Sequence, residues 1–447
     1  MDKRAEPLRI LRRKQHLRQF LAVLVVLLVF LGGIAAGFLL QQGFQSSHRQ
    51  RNTLFTHRLL PQQENHTPAS LYASRSTQPV TEPPTEPSDP PTLPTETDPI
   101  QSIMDTMTLE EKLCQLFLVT PEAITPGDPI TGIPQSLADD LRQYPVGGIV
   151  LFSQNLLNRQ QCQTMVAAYQ ELSRIPMFVC VDEEGGAVSR LGGNAAMDFP
   201  QFGPMASIGA SGENSDAYHV GYTLGSELLE LGFNLDFAPV ADVDSNPKNT
   251  VIGDRAFSTD PETAAKMVSA CVRGFRDAGT LCTLKHFPGH GDTAQDSHQG
   301  EVTLNKTLEE LQKTELPPFS AGIQAGAPVV MVGHISLPKI TGSDVPASLS
   351  PELITDLLRD SMGFNGLIIT DAMNMGAITE QYSSDEAAVL AILAGCDLIL
   401  MPEDLPEAIQ ALRQAVEDDT ISAARIDESV RRILTMKLEY GILSDQF

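Results

Sequence analysis

The chain has 447 residues, 42% of them hydrophobic and 19% charged, with a formal net charge of -25. That length carries one large domain or two ordinary ones, plus extensions. The first 99 residues hold 11 Lys+Arg against 8 Asp+Glu, leaving 20 basic against 48 acidic in the remainder; so acidic a body lacks the Lys/Arg surface that nucleic-acid phosphates require, which argues against that partner, and the acidity reads as solubility.

Residues 1–19 form a basic segment with Lys3, Arg4, Arg9, Arg12, Arg13, Lys14 and Arg18. Residues 20–40, FLAVLVVLLVFLGGIAAGFLL, carry no charge. At about 1.5 Å per residue such a run crosses a hydrocarbon core of roughly 30 Å, and the basic flank places the N-terminus in the cytoplasm. A transmembrane anchor is therefore expected at 20–40. The alternative is a cleaved signal peptide, whose apolar region is normally shorter, about 7–15 residues. No cysteine stands near the end of the run, so lipoprotein attachment is not expected. Residues 41–99 become rich in Pro, Thr and Glu (TQPVTEPPTEPSDPPTLPTETDP). This composition buries too little apolar surface to order itself, and its prolines keep it extended. A disordered linker, holding an extracellular domain away from the membrane, is the expectation.

The composition turns globular from 100 onward. Thr108 starts a helix, with Glu111 three residues on as a capping-box partner. Strand-like apolar runs follow at 115–119, 148–152, 177–182, 234–239, 280–286, 329–334, 367–371 and 398–401. Helical patterns lie between most of them, for example at 160–173, 261–278, 351–361 and 385–394. Eight alternations over about 300 residues predict an α/β fold, a (β/α)8 TIM-type barrel over 100–447, with a doubly wound open sheet as the alternative. Residues 423–440 read as an amphipathic closing helix, and no second globular domain is expected after it. Six cysteines are scattered without CxxC or metal-ligand spacing; Cys180 and Cys282 read as small buried hydrophobes, and no pairing is legible.

Several strands end in polar residues: Asp182, Lys285-His286, His334 and Asp371. In a barrel these tips converge on the carboxyl-end face, where chemistry sits. The most concentrated stretch is 285–298, KHFPGHGDTAQDSH, with three histidines, two aspartates and a lysine in one turn-rich loop. Asp371 ends the run GLIITD and reads either as a group exposed to a cleft or as a helix N-cap. His298 follows Asp296 by two residues; an aspartate bonded to one ring nitrogen fixes the tautomer of the other. A lone loop histidine is more often a plain surface position, a reading that weakens because this loop and the Asp371 strand tip should share one face. A metallohydrolase drawing on His286, His290, His298, Asp292 and Asp296 is a weaker reading, because those ligands would all come from one irregular loop.

KHFPGHGDTAQDSH resembles the signature of glycoside hydrolase family 3, in its β-N-acetylglucosaminidase branch. Further segments match in order: VDEEGGAVSRL (181–191), NLDFAPVADVD (234–244), VIGDRAF (251–257) and IITDAMNMGAI (368–378). The resemblance covers essentially the whole globular part and implies a (β/α)8 barrel, in agreement with the strand count. It implies Asp371 as nucleophile, forming a covalent glycosyl-enzyme with net retention. It implies His298 as the acid/base and Asp296 as the group that orients it. Asp182, Arg190, Arg255, Lys285 and His286 match the sugar-binding positions, with Glu183, Glu184 and Asp254 as competing partners for the two arginines. His290 and Asp292 are given structural roles within the loop. No metal and no cofactor is implied. The absence of Trp and the 6% aromatic content favour a small pocket over a long cleft lined with stacked rings. The expected activity is that of an exo-acting β-N-acetylhexosaminidase on short oligosaccharides such as muropeptides or chitin fragments, a place in peptidoglycan turnover. A phosphorylase of the same fold and a non-catalytic, membrane-tethered wall-binding protein are the alternatives. Oligomeric state is not legible.

Overall fold

The computed structural model describes residues 98–294, 297 and 300–444. The expected basic segment, the apolar span 20–40 and the linker up to residue 97 lie outside the described residues. Among the described residues no helix is long and apolar enough to cross a membrane. The first helix among the described residues is Pro99–Thr106, capped by Asp98. The next, Leu109–Cys114, carries the expected capping box between Thr108 and Glu111.

Eight strands form the core: β1 (Phe117–Val119), β2 (Gly148–Val150), β3 (Phe178–Val181), β4 (Leu235–Asp236), β5 (Leu281–Phe287), β6 (Val329–Val332), β7 (Leu367–Thr370) and β8 (Ile399–Leu400). Each lies within one of the eight apolar runs or one residue beyond it. Chain neighbours are sheet neighbours throughout, and all these pairs are parallel. The sheet closes because β8 pairs with β1 and a parallel bridge, Ile369 to Leu398, joins β7 to β8. The strand order has no reversal, so the switch point of a doubly wound sheet is missing and the nearly closed barrel is the architecture.

Side chains alternate along each strand. Leu118, Val150, Phe178, Cys180, Leu235, Leu281, Val329, Met331, Leu367, Ile369 and Leu400 fill the barrel interior. Their alternates, such as Ile149, Val179, Cys282, Val330 and Ile368, pack under the helices. Buried on both faces, the strands read as continuous apolar runs. Helices Asn214–Leu231 and Pro261–Ala278 approach so closely that a Cβ on Gly221 would lie 2.2 Å from the Cys271 carbonyl oxygen. The helix expected at 351–361 is present as Glu352–Ser361 but is wound as a π-helix, a widening that the apolar pattern does not signal. All six cysteines are buried and free.

The closing helix is Ala423–Glu439. It plugs one end of the barrel: Ile433 joins the interior cluster, with Met436 and Tyr440 against it. Lys437 is fully buried there. Its Nζ donates to Gln115 Oε1 at 2.9 Å and to the Gly147 carbonyl at 3.0 Å, 4.8 Å above the Phe178 ring. With that end filled, the opposite, carboxyl-end face is left for a site.

Candidate active site

Asp182, Arg190, Arg255, Lys285, His286 and Asp371 all line one cavity of about 380 Å³ at the carboxyl ends of the strands. Four different segments bring them there. Asp371 follows β7 directly and donates its backbone N–H to the Val332 carbonyl at 2.9 Å. Its Oδ1 accepts the N–H of Ala372 at 2.8 Å. The next helix begins at Gly376, with Met375 as its cap residue, so Asp371 is not a helix N-cap. Burial pushes the Asp371 carboxyl up; the His286, His334 and Lys285 charges and the Ala372 N–H outweigh it and hold the group below its ordinary value. His334, at the end of β6, has Nδ1 2.8 Å from Ser348 Oγ and Nε2 3.0 Å from the Ala372 carbonyl. It braces the turn that presents Asp371.

Beyond β3 the chain makes a short hairpin, Glu183–Gly185 against Val188–Ser189. Alternation sends Asp182 and Glu184 to the cavity and Glu183 away from it. Glu183 bonds Ser189 Oγ and accepts the Leu191 N–H at 2.7 Å, which fixes the turn carrying Arg190. Asp182 accepts from Lys285 Nζ at 2.7 Å and lies 3.5 Å from Arg190 Nη2. Arg190 also sits 5.3 Å over the Phe152 ring. Glu184 takes Arg255 in a two-pronged pair, 2.8 Å from Nε and from Nη2, and Lys285 Nζ at 2.6 Å. Of the three competing carboxylates named from the sequence, Glu184 holds Arg255. Burial alone would push the Glu184 carboxyl up, but Lys285 and Arg255 hold it down at about 2. Asp182, Glu184, Arg255 and Lys285 are thus one hydrogen-bonded polar wall, which Arg190 joins through its ion pair with Asp182, the kind of surface that meets several hydroxyls at once.

Lys285 and His286 are consecutive in β5, yet both reach the cavity. Regular pleating would send them to opposite faces. The β5–β6 register shifts between Leu284 and Phe287, and the peptide between Lys285 and His286 is cis; a register irregularity is what re-aims a side chain. The cavity is also lined by the apolar side chains of Phe237, Met331, Met375, Leu400 and Met401. Met401 adopts a left-handed φ of 46°, uncommon for a side chain with a Cβ.

Two of the expected catalytic residues, Asp296 and His298, lie outside the described residues. Ser297 between them is described. It lines the cavity, its Oγ is 3.3 Å from His290 Nε2 and its carbonyl accepts the Ala377 N–H at 3.1 Å. His290, read from sequence as structural, lines the cavity as well. Its Nδ1 is 2.7 Å from Thr293 Oγ1, and its pKa is lowered, by burial first and by the His286 charge second. Asp292 pairs with Lys306 at 2.8 Å, and Lys306 bonds the buried Glu315.

Sequence reasoning passed over Asp242 and Asn249, which lie in or just after the matched segment 234–244. Both are buried. Asp242 Oδ2 accepts from His286 Nδ1 at 2.8 Å and its Oδ1 accepts the His290 N–H at 2.6 Å; Asn249 Nδ2 donates to the His290 carbonyl at 2.7 Å. A single acid inside the apolar run APVADV was the available signal.

Comparison with known proteins bears on this geometry. Residues 108–436 match the family described as glycosyl hydrolase family 3 N terminal domain. The chain is 34% identical over 336 residues to a beta-hexosaminidase A of Pseudoalteromonas piscicida, covering 69% of this chain and 56% of that protein, so it spans just over half that relative's length. It is 38% identical over 284 residues to a beta-hexosaminidase of Stenotrophomonas maltophilia strain K279a, covering 62% of this chain and 82% of that one. A family 3 beta-N-acetylglucosaminidase structure from Paenibacillus sp. str. FPU-7 superposes with a TM-score of 0.70 at 38% identity, covering 75% of this chain and 63% of that chain. The matched stretch takes in all eight strands and every cavity residue named above: the chain belongs to glycosyl hydrolase family 3.

Proposed function

We propose that the chain is a retaining exo-β-N-acetylglucosaminidase that releases terminal β-linked N-acetylglucosamine from short oligosaccharides such as muropeptides or chitin fragments. The observation that carries this reading is the convergence of six residues from four chain segments on one cavity, with a depressed carboxyl, Asp371, among cations. The names of the relatives, beta-hexosaminidase and beta-N-acetylglucosaminidase, support the coarser part of this reading, a glycosidase of that type. A volume of about 380 Å³ is near the lower end of ligand pockets and favours one terminal sugar over a polymer threaded through a cleft.

In this mechanism Asp371 attacks the anomeric carbon and displaces the aglycone oxygen, which takes a proton from His298. His298 then removes a proton from water, whose oxygen attacks the same carbon and returns Asp371 as a carboxylate. Two inversions give net retention. An imidazole suits both half-reactions because its unperturbed pKa, about 6.5, lies close to neutrality. Asp296 holds the His298 ring in one tautomer and stabilises its charged form. Asp182, Lys285 and His286 meet ring hydroxyls, and Arg190 and Arg255 meet the acetamido group or a carboxylate of the ligand. Residues 20–40 would tether the enzyme, placing the barrel outside the cell.

The test is product analysis with an aryl β-N-acetylglucosaminide, chitobiose and a muropeptide disaccharide, each with and without inorganic phosphate. Free β-N-acetylglucosamine as first product supports the proposal, and Asp371→Asn and His298→Ala should each lower turnover by at least about 10³-fold. Sugar-1-phosphate formed only with phosphate present would reassign the chain as a phosphorylase. Absence of turnover on all three, with binding retained, would reassign it as a wall-binding protein.

A further inference from the structure

The charged groups around His286 do not all face the sugar. Its Nδ1 is turned away from the cavity, 2.8 Å from Asp242 Oδ2, while its Nε2 makes no hydrogen bond among the described residues. Asp242 is fully buried and reaches this position because the strand β4 continues irregularly: Val240 bridges to Lys285 and the Ala241 N–H donates to the Lys285 carbonyl at 2.7 Å. The other carboxylate oxygen is also committed. Oδ1 accepts the His290 N–H at 2.6 Å, and both oxygens lie 3.3 Å from the His286 N–H. Asp242 is therefore an acceptor on every side, and its orientation leaves one arrangement for the ring: Nδ1 carries the proton.

We propose that Asp242 is a positioning residue, distinct from the Asp296–His298 pair, which fixes His286 with Nδ1 protonated and thereby commits Nε2 to the bound sugar while tying the root of the following loop to the same carboxylate. The proposal rests on the glycosidase reading only for its kinetic consequence; the tautomer itself is a property of the free protein. Around this pair stand Lys285 from the same strand, His290, whose ring meets that of His286 edge-on at 6.0 Å, Arg255, which feels the Asp242 charge, and Asp371, which feels the His286 charge.

Asp242→Asn separates this role from simple structural support. The asparagine oxygen can stay on the two backbone N–H groups, which it satisfies as the carboxylate did. Its NH2 then faces His286 Nδ1, which must accept, and the ring proton moves to Nε2. The experiment is imidazole 15N NMR of the histidine-labelled full chain, at a pH where the rings are neutral, with His286 assigned from its loss in His286→Gln. The wild type should show Nδ1–H at His286 and Asp242→Asn should show Nε2–H. With an aryl β-N-acetylglucosaminide, Asp242→Asn should lower kcat/KM roughly ten- to a hundredfold, the worth of one hydrogen bond to a charged group. In the His286→Gln background the same change should cost less than about twofold, because the residue it acts through is gone. Nε2–H at His286 in the wild type overturns the proposal, as do losses that multiply in the double variant. If Asp242→Asn does not fold, the wild-type spectrum still decides. If the wild type turns over no glycoside, that failure belongs to the proposed function, and the spectrum tests the tautomer independently.

Discussion

Glu184→Gln removes one negative charge from the polar wall, leaving Lys285 with Asp182 as its remaining carboxylate partner and Arg255 without its ion-pair partner. The shape is kept and the charge is lost. The Glu184 carboxyl stands at about 2 in the folded chain against an ordinary 4.5, so its ionised form is favoured by folding, and the gap corresponds to roughly 3 kcal/mol at about 1.4 kcal/mol per pH unit. Removing one partner of a buried ion pair costs roughly 3–5 kcal/mol by an independent line of reasoning, so the two agree. Because the folded pKa is the lower one, this stability is fully present above pH 4.5 and is lost as pH falls towards 2. Urea unfolding of wild type and Glu184→Gln, in steps from pH 7 to pH 3, should show a difference of about 3 kcal/mol that is flat down to pH 5. Below pH 4.5 it should shrink by about 1.4 kcal/mol per pH unit. For a domain of this size the difference at neutral pH is a fall in Tm of roughly 4 °C. A variant as stable as wild type at pH 7, or a difference that stays constant to pH 3, would show that the Glu184 carboxylate is not held ionised by Lys285 and Arg255.

Three further outcomes follow from the same structure. The acid limb of kcat/KM, set by ionisation of Asp371, should lie below the ordinary aspartate range, because the His286, His334 and Lys285 charges overcome the effect of burial; Lys285→Met should move it upward, and a wild-type limb above the ordinary aspartate range would contradict the assignment. Gly291→Ala places a Cβ 1.8 Å from the Val243 carbonyl oxygen, so the loop must shift; a stability loss of roughly 1–3 kcal/mol should accompany a fall in kcat/KM of more than about tenfold, and wild-type kinetics would show the loop to be tolerant. Lys437, pushed by burial down to about 7, releases its proton in the folded chain while the unfolded lysine keeps it. Stability should therefore rise with pH above 7 by about 1.4 kcal/mol per unit relative to Lys437→Met, read from urea midpoints at pH 7, 8 and 9; parallel curves would place the proton elsewhere.

Much of the fold was legible locally. Each barrel strand is an apolar run buried on both faces, and each run ends at a polar residue or a turn, so their number and positions could be read along the chain. The Thr108 capping box and the closing helix at 423–440 needed only neighbours three or four residues away. Asp182, Lys285, His286 and Asp371 could be marked as site residues because a polar side chain at the tip of an apolar strand has few other uses. Partner choice was a different matter. That Glu184 rather than Glu183 holds Arg255, across 71 residues, depends on which side of a two-residue alternation faces the cavity. That Asp242 sets the ring of His286, across 44 residues, depends on an irregular continuation of β4 beside β5. Lys285 and His286 share one face only because the β5–β6 register shifts between them. Periodicity encodes which residues are buried and which stand at a strand end; closure of the sheet and the pairing of charges across it arise from contacts between segments distant in the chain, which no local pattern records.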